Sequence, residues 1–118
     1  MVLWDQPMTN EKWLRWAISR HFRKKGLEVS MTGVRAGNAV IDGEVVGKKW
    51  RMALEIKSSH DDPIRGIGQL VEALCNGYQT AALVTSLRHA KHLDKSVFKN
   101  GLVLLGIDSK TRVHQVYP

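Results

Sequence analysis

The sequence predicts a single α/β domain, a mixed central sheet of about five strands flanked by helices. Three observations carry this expectation. The chain has 118 residues, enough for one hydrophobic core and too few for two. Its apolar share of 43% belongs to a globular chain, not a disordered one. The apolar pattern switches period in the order helix, three strands, helix, strand, helix, strand, with no internal repeat or low-complexity segment. A meander followed by alternating helix and strand builds a mixed sheet under helical cover.

Met1 to Met8 reads as an irregular lead-in. Thr9 or Asn10 caps a first helix, with Glu11 in its first turn. Leu14, Ala17, Ile18, His21 and Phe22 recur at helical spacing and form its apolar stripe, with Glu11 at the border. Lys12, Arg15, Arg20, Arg23 and Lys24 fall on the other sides, and Gly26 ends the helix. Leu27 to Thr32 reads as the first strand and Gly33 to Asn38 as a turn-rich link. Ala39 to Val46 and Lys49 to Lys57 read as an antiparallel hairpin turning at Gly47 and Lys48. After the polar loop Ser58 to Asp62, Pro63 opens a helix running to about Tyr78. Ile64, Ile67, Val71, Leu74, Cys75 and Tyr78 are its expected buried stripe. Thr80 to Thr85 reads as a central strand, His89 to Phe98 as a helix, Gly101 to Ile107 as a strand and Arg112 to Tyr117 as an edge strand.

Composition narrows the functional classes. No apolar run approaches the roughly 20 residues needed to cross a bilayer, and Met1 to Pro7 lacks a signal-peptide pattern. No membrane association and a soluble, cytoplasmic location are therefore expected. The single cysteine, Cys75, excludes an internal disulfide and a cysteine-rich zinc site, and is expected to be buried. The net charge of +7, from 18 Lys and Arg against 11 Asp and Glu, points to a polyanionic partner. Nucleic acid is the natural candidate.

Strand alternation places Glu55 and Lys57 on one face and Leu54 and Ile56 on the other. Asp42 and Glu44 likewise share a face, and either can oppose Glu55 across the hairpin. Asp42 is favoured because it directly follows the apolar run Ala39-Val40-Ile41. Charged groups inside apolar strands are costly without a function. Two carboxylates at one point repel, and a divalent cation relieves the repulsion. Mg2+ or Mn2+ on Asp42, Glu55 and the Ile56 carbonyl would polarise a phosphoryl oxygen and lower the pKa of an attacking water. Lys57 would orient that water and offset charge on the phosphorane.

Asp42 followed thirteen residues later by Glu55-Ile56-Lys57 resembles the signature of the PD-(D/E)XK nuclease superfamily. The resemblance covers roughly Glu11 to Ser86, and the element order looks like that of the restriction-endonuclease-like core. Ile41 stands where the motif has proline. The resemblance implies a metal-dependent nuclease acting on DNA in repair, recombination or restriction, with Asp42 and Glu55 on the metal and Lys57 in catalysis. It further implies an assisting Glu11 on the first helix and an assisting Gln69 on the helix after the lysine strand, although helical geometry also allows Gln69 to be solvated. Lys12, Arg15, His60 and Arg65 are the candidate nucleic-acid contacts. Two other readings stand beside it: a small basic homodimer of the Holliday junction resolvase kind, and an inactive nuclease-fold module that binds nucleic acid or serves a larger complex. His89 and His92, three apart on a helix, lack a further zinc ligand, and Trp4, Trp13, Trp16 and Trp50 read first as packing residues.

Overall fold

The computed structural model describes residues 10–99 and 101–118. The lead-in, a cap at Thr9 and the indole of Trp4 lie outside the described residues. Asn10 caps helix α1 (Glu11–Lys24), its side chain accepting the Lys12 N–H at 2.8 Å. Strands β1 (Glu28–Ser30), β2 (Val34–Ala36), β3 (Ala39–Ile41), β4 (Gly43–Val46) and β5 (Arg51–Ile56) follow. Asp62 then caps helix α2 (Pro63–Leu74), accepting the Ile64 N–H at 3.0 Å. Strand β6 (Thr80–Ser86), helix α3 (Leu87–His92), a 3-10 turn (Lys95–Phe98), β7 (Leu102–Ile107) and β8 (Val113–Tyr117) complete the fold.

The main sheet has six strands in the order β1-β4-β5-β6-β7-β8. It is mixed: β5 and β7 flank β6 in parallel, and the outer pairs are antiparallel. Helix α1 covers one face, where Leu14, Ile18 and Phe22 meet Leu54, Ile56 and Val84. Helix α2 and the 3-10 turn serve the other, where Leu70 and Phe98 join Ala53, Leu83 and Leu104. Among the described residues, no helix is long and apolar enough to cross a membrane.

Several expectations need correction. The strand expected over Ala39 to Val46 breaks at Asp42: β4 stays in the main sheet, while β3 leaves it to pair with β2 in a separate two-stranded ribbon. The link Gly33 to Asn38 therefore contains a strand, while the six strands of the main sheet correspond to those expected, the edge strand Arg112 to Tyr117 included. Helix α2 ends at Leu74, and the segment His89 to Phe98 divides into the end of α3 and the 3-10 turn. The face that α2 buries is Gly66, Leu70 and Ala73. Ile64 and Val71 of the expected stripe are 61% and 46% exposed, and Cys75 is exposed at the helix end. The physical reason is the small-residue seam. Gly66 and Ala73 let α2 lie close on a sheet surface built from Ala53, Ala81 and Leu83, whereas Ile64 and Val71 would hold it away.

Candidate active site

Asp42 occupies the break between β3 and β4, where the chain turns back towards the end of β5. Its main-chain N–H donates to Glu55 Oε1 at 2.9 Å and to the Leu54 carbonyl at 3.1 Å. In return Asp42 Oδ2 accepts the Ile56 N–H at 2.8 Å. Each carboxylate therefore has one oxygen fixed by main chain and one turned towards a cation. Asp42 Oδ1 accepts from Arg15 Nη2 at 3.1 Å, and Glu55 Oε2 lies 3.6 Å from Lys57 Nζ.

Both groups face a cleft of about 220 Å³ whose walls include Glu11, Asp42, Glu55, Lys57, Arg65 and Gln69. Ile56 also lines it. Its side chain is buried in the opposite core layer, so its main chain is what faces the cleft. Glu55 is only 2% exposed. Burial, then the nearby charge of Asp42, pushes its carboxyl pKa up to about 7, against the opposing pull of Lys57 and the Asp42 N–H.

The choice between Asp42 and Glu44 is made by tertiary contacts. Glu44 accepts the Tyr78 hydroxyl at 2.6 Å and lies 3.9 Å from Arg51, so it serves the opposite end of the hairpin. Burial first, and the Glu44 bond second, push the Tyr78 phenol up to about 12. Gln69 is not simply solvated. It lines the cleft, and its Nε2 donates to the Val40 carbonyl at 3.0 Å, tying α2 to β3 beside Asp42. Arg65 also lines the cleft, whereas His60 and Lys12 are exposed and do not line it.

Two participants, Arg15 and Gly66, have no place in the centre that the sequence outlines. Arg15, assigned by the sequence to the outer sides of α1 as a nucleic-acid contact, reaches inward. Its Nη2 donates to Glu11 Oε1 at 2.8 Å as well as to Asp42, and its Nη1 donates to the Met31 carbonyl at 3.1 Å. Its spacing of four residues from Glu11 was the available signal. Asp61, which with His60 and Asp62 directly follows the predicted centre in sequence as a weaker candidate for touching phosphate or metal, lines the cleft too, held by the Ser58 N–H and hydroxyl at 2.8 and 3.0 Å, bonds that keep its carboxyl below the usual range. Gly66 is the second participant. A Cβ there would stand 2.7 Å from Lys57 Cε, so the glycine gives the lysine its path under α2.

The remaining aromatic and histidine candidates lie elsewhere. Trp13 and Trp50 pack against the α1 core, and Trp16 is exposed. His89 Nδ1 pairs with the Thr85 hydroxyl at 3.0 Å, and His92 is exposed.

The donor set fits a hard divalent cation that keeps most of its water. Among the described residues, no three His, Cys, Asp or Glu side chains form a metal-holding group. Each carboxylate has one oxygen free of main-chain bonds, Asp42 Oδ1 facing Arg15 and Glu55 Oε2 facing Lys57, and such a pair suits an ion that needs only one or two protein carboxylates.

The architecture is that of a mixed α/β domain with an acidic cleft at the end of a central strand. It is similar to the solved structure titled "SPO1766 protein of unknown function from Silicibacter pomeroyi". The TM-score is 0.66 at 18% identity, over 90% of this chain and 68% of that one. At that identity the likeness speaks for the fold alone. No protein-family model matches the chain, and no curated protein matches it.

Proposed function

We propose that the chain is a metal-dependent nuclease that hydrolyses phosphodiester bonds of DNA, with its centre at Asp42, Glu55 and Lys57. The observation that carries this reading is the reciprocal clasp of Asp42 and Glu55. Burial and the charge of Asp42 leave the Glu55 carboxyl raised to about 7 even beside Lys57, and a divalent cation between the two acids would relieve that repulsion. The resemblance to the PD-(D/E)XK pattern agrees with it.

Asp42 Oδ1, Glu55 Oε2 and the Ile56 main chain would hold Mg2+ or Mn2+. The ion, when bound, supplies Lewis-acid polarisation of the scissile phosphate and a more acidic water. Lys57 points its ammonium group at the same place and donates to a non-bridging phosphate oxygen as negative charge builds there. Glu11 and Gln69, on the cleft wall, orient water. Arg15 shields Asp42 from Glu11 and offers a further donor to phosphate.

One observation favours a second reading. Arg15 already neutralises Asp42 and Glu11, which is the state expected of a nuclease fold kept as a binding module. A homodimer of the resolvase kind gains no specific support from the single chain. The test is incubation with linear, single-stranded and four-way-junction DNA in Mg2+, Mn2+ or EDTA. Cleavage that needs metal and disappears in Asp42→Asn, Glu55→Gln and Lys57→Ala, with binding retained, is the expected result. Undiminished cleavage by Glu55→Gln rejects the site, and binding without cleavage in every metal favours the module.

A further inference from the structure

Beyond the cleft, the strongest unexplained feature is the outer face of α1. A groove of about 610 Å³ there has Arg15, Trp16, Arg20, Arg23, Lys24 and Met31 among its walls. A second, of about 420 Å³, shares Arg20 and Lys24 and adds Lys110 and Arg112 from the β7–β8 turn. Among the described residues, no acidic residue lines either groove. Among the described residues, Arg20, Arg23, Lys24 and Lys110 form no ion pair. Arg15 links the strip to the cleft, since it lines the first groove and bonds Asp42, which lines the cleft.

Trp16 lies in this strip and is 51% exposed, with the Arg20 guanidinium 5.3 Å from its ring centroid. A cation-lined groove carrying an open indole is the arrangement that takes a sugar-phosphate chain and stacks one of its bases. Stacking on Trp16 requires a base free of its neighbours, which a single strand supplies and an intact duplex does not. A lipid surface is a poorer match. A membrane-lying helix needs a broad apolar face, and Leu14, Ala17, Ile18 and Phe22 of α1 are all buried against the sheet.

We propose that the outer face of α1 is a track for single-stranded nucleic acid: a base stacks on Trp16, and the phosphates follow Arg20, Arg23 and Lys24 towards the acidic cleft. The proposal names the substrate form for the nuclease above and rests on that reading for its purpose, while its test is a binding measurement.

The test is fluorescence anisotropy of an end-labelled oligothymidylate, in EDTA so that no metal-dependent cleavage occurs. The wild-type chain is expected to bind the single strand at least about 10-fold more tightly than a duplex of equal length. Trp16→Ala is expected to weaken it by about 5- to 100-fold, and Trp16→Phe to restore most of the loss. In the combined Arg20→Ala, Arg23→Ala, Lys24→Ala variant, the salt dependence is expected to flatten by about 2 in log–log slope. Unchanged binding in the combined variant, or in Trp16→Ala, overturns the track. Binding to phosphatidylglycerol vesicles at equal affinity, lost in the same variants, overturns it in favour of a lipid surface. Metal-dependent cleavage by the wild type alongside unchanged variant binding removes the track and leaves the nuclease. Track-dependent binding with no cleavage in any metal removes the nuclease and leaves the track.

Discussion

Replacing Gly66 with alanine places a methyl group across the path of Lys57. The new Cβ would stand 2.7 Å from Lys57 Cε and 3.2 Å from Leu83 Cδ1. Ordinary contact begins at 3.4 Å, so the lysine must give way by about 0.7 Å. The flexible end of a lysine moves more cheaply than helix backbone, so the ammonium group leaves Glu55 Oε2 while the fold stays. A misplacement of that size at a reacting group costs on the order of 100-fold. Helix propensity gains about 1 kcal/mol from Gly to Ala, and the crowding at Leu83 opposes it, so stability changes little. The expected result is kcat on a labelled oligonucleotide in Mg2+ falling about 10- to 100-fold, with Tm within about 4 °C of wild type. Added to Lys57→Ala, Gly66→Ala is expected to do nothing more, since both act through one ammonium group. Gly68, with open space around it, is the control: Gly68→Ala is expected to stabilise by about 1 kcal/mol at unchanged kcat. A Gly66→Ala protein with wild-type kcat refutes the role given to the lysine. A large loss of Tm shows instead that Gly66 matters for helix packing.

Glu44 is expected to be dispensable for cleavage: Glu44→Gln keeps kcat within about 2-fold, whereas Tyr78→Phe lowers stability by about 1 to 3 kcal/mol in denaturant titration. Cleavage abolished in Glu44→Gln would instead make it a member of the centre. At the β7–β8 turn, burial works to raise the Asp108 pKa, but bonds from His114 (2.8 Å), the Arg112 N–H and guanidinium (2.9 and 2.8 Å) and the Lys110 N–H (2.9 Å) outweigh it. Its folded pKa is thus depressed, so its stabilisation is present above the unfolded value of about 3.9 and is lost as pH falls through the lower folded value. Wild type should therefore lose more stability than Asp108→Asn on acidification below about pH 4 in thermal melts; parallel pH profiles would contradict the assignment.

What was legible in the sequence lay in periods of two and of 3.6. Glu55 and Lys57 share a face because strand side chains alternate, and α1 buries Leu14, Ile18 and Phe22 because its apolar positions form one narrow stripe. Helix α2 was harder. Ile64, Ile67 and Val71 also repeat at helical spacing, but the face that packs is decided by how closely Gly66 and Ala73 approach the sheet and Lys57. Cys75 is exposed and not buried for the same reason, since its exposure depends on where α2 ends and which way it is turned.

By itself the sequence determined the order of the helices and of the main-sheet strands, the mixed α/β class and the pairing of an acid with a lysine on one strand face, all consequences of local chain geometry. Tertiary structure alone decided that Asp42 and not Glu44 meets Glu55, that Arg15 reaches inward between Glu11 and Asp42, and that Gln69 ties α2 to β3. Those contacts join residues that are mostly far apart in the chain. A side chain's reach to a distant partner is set by the register and packing of whole elements, which no local period encodes.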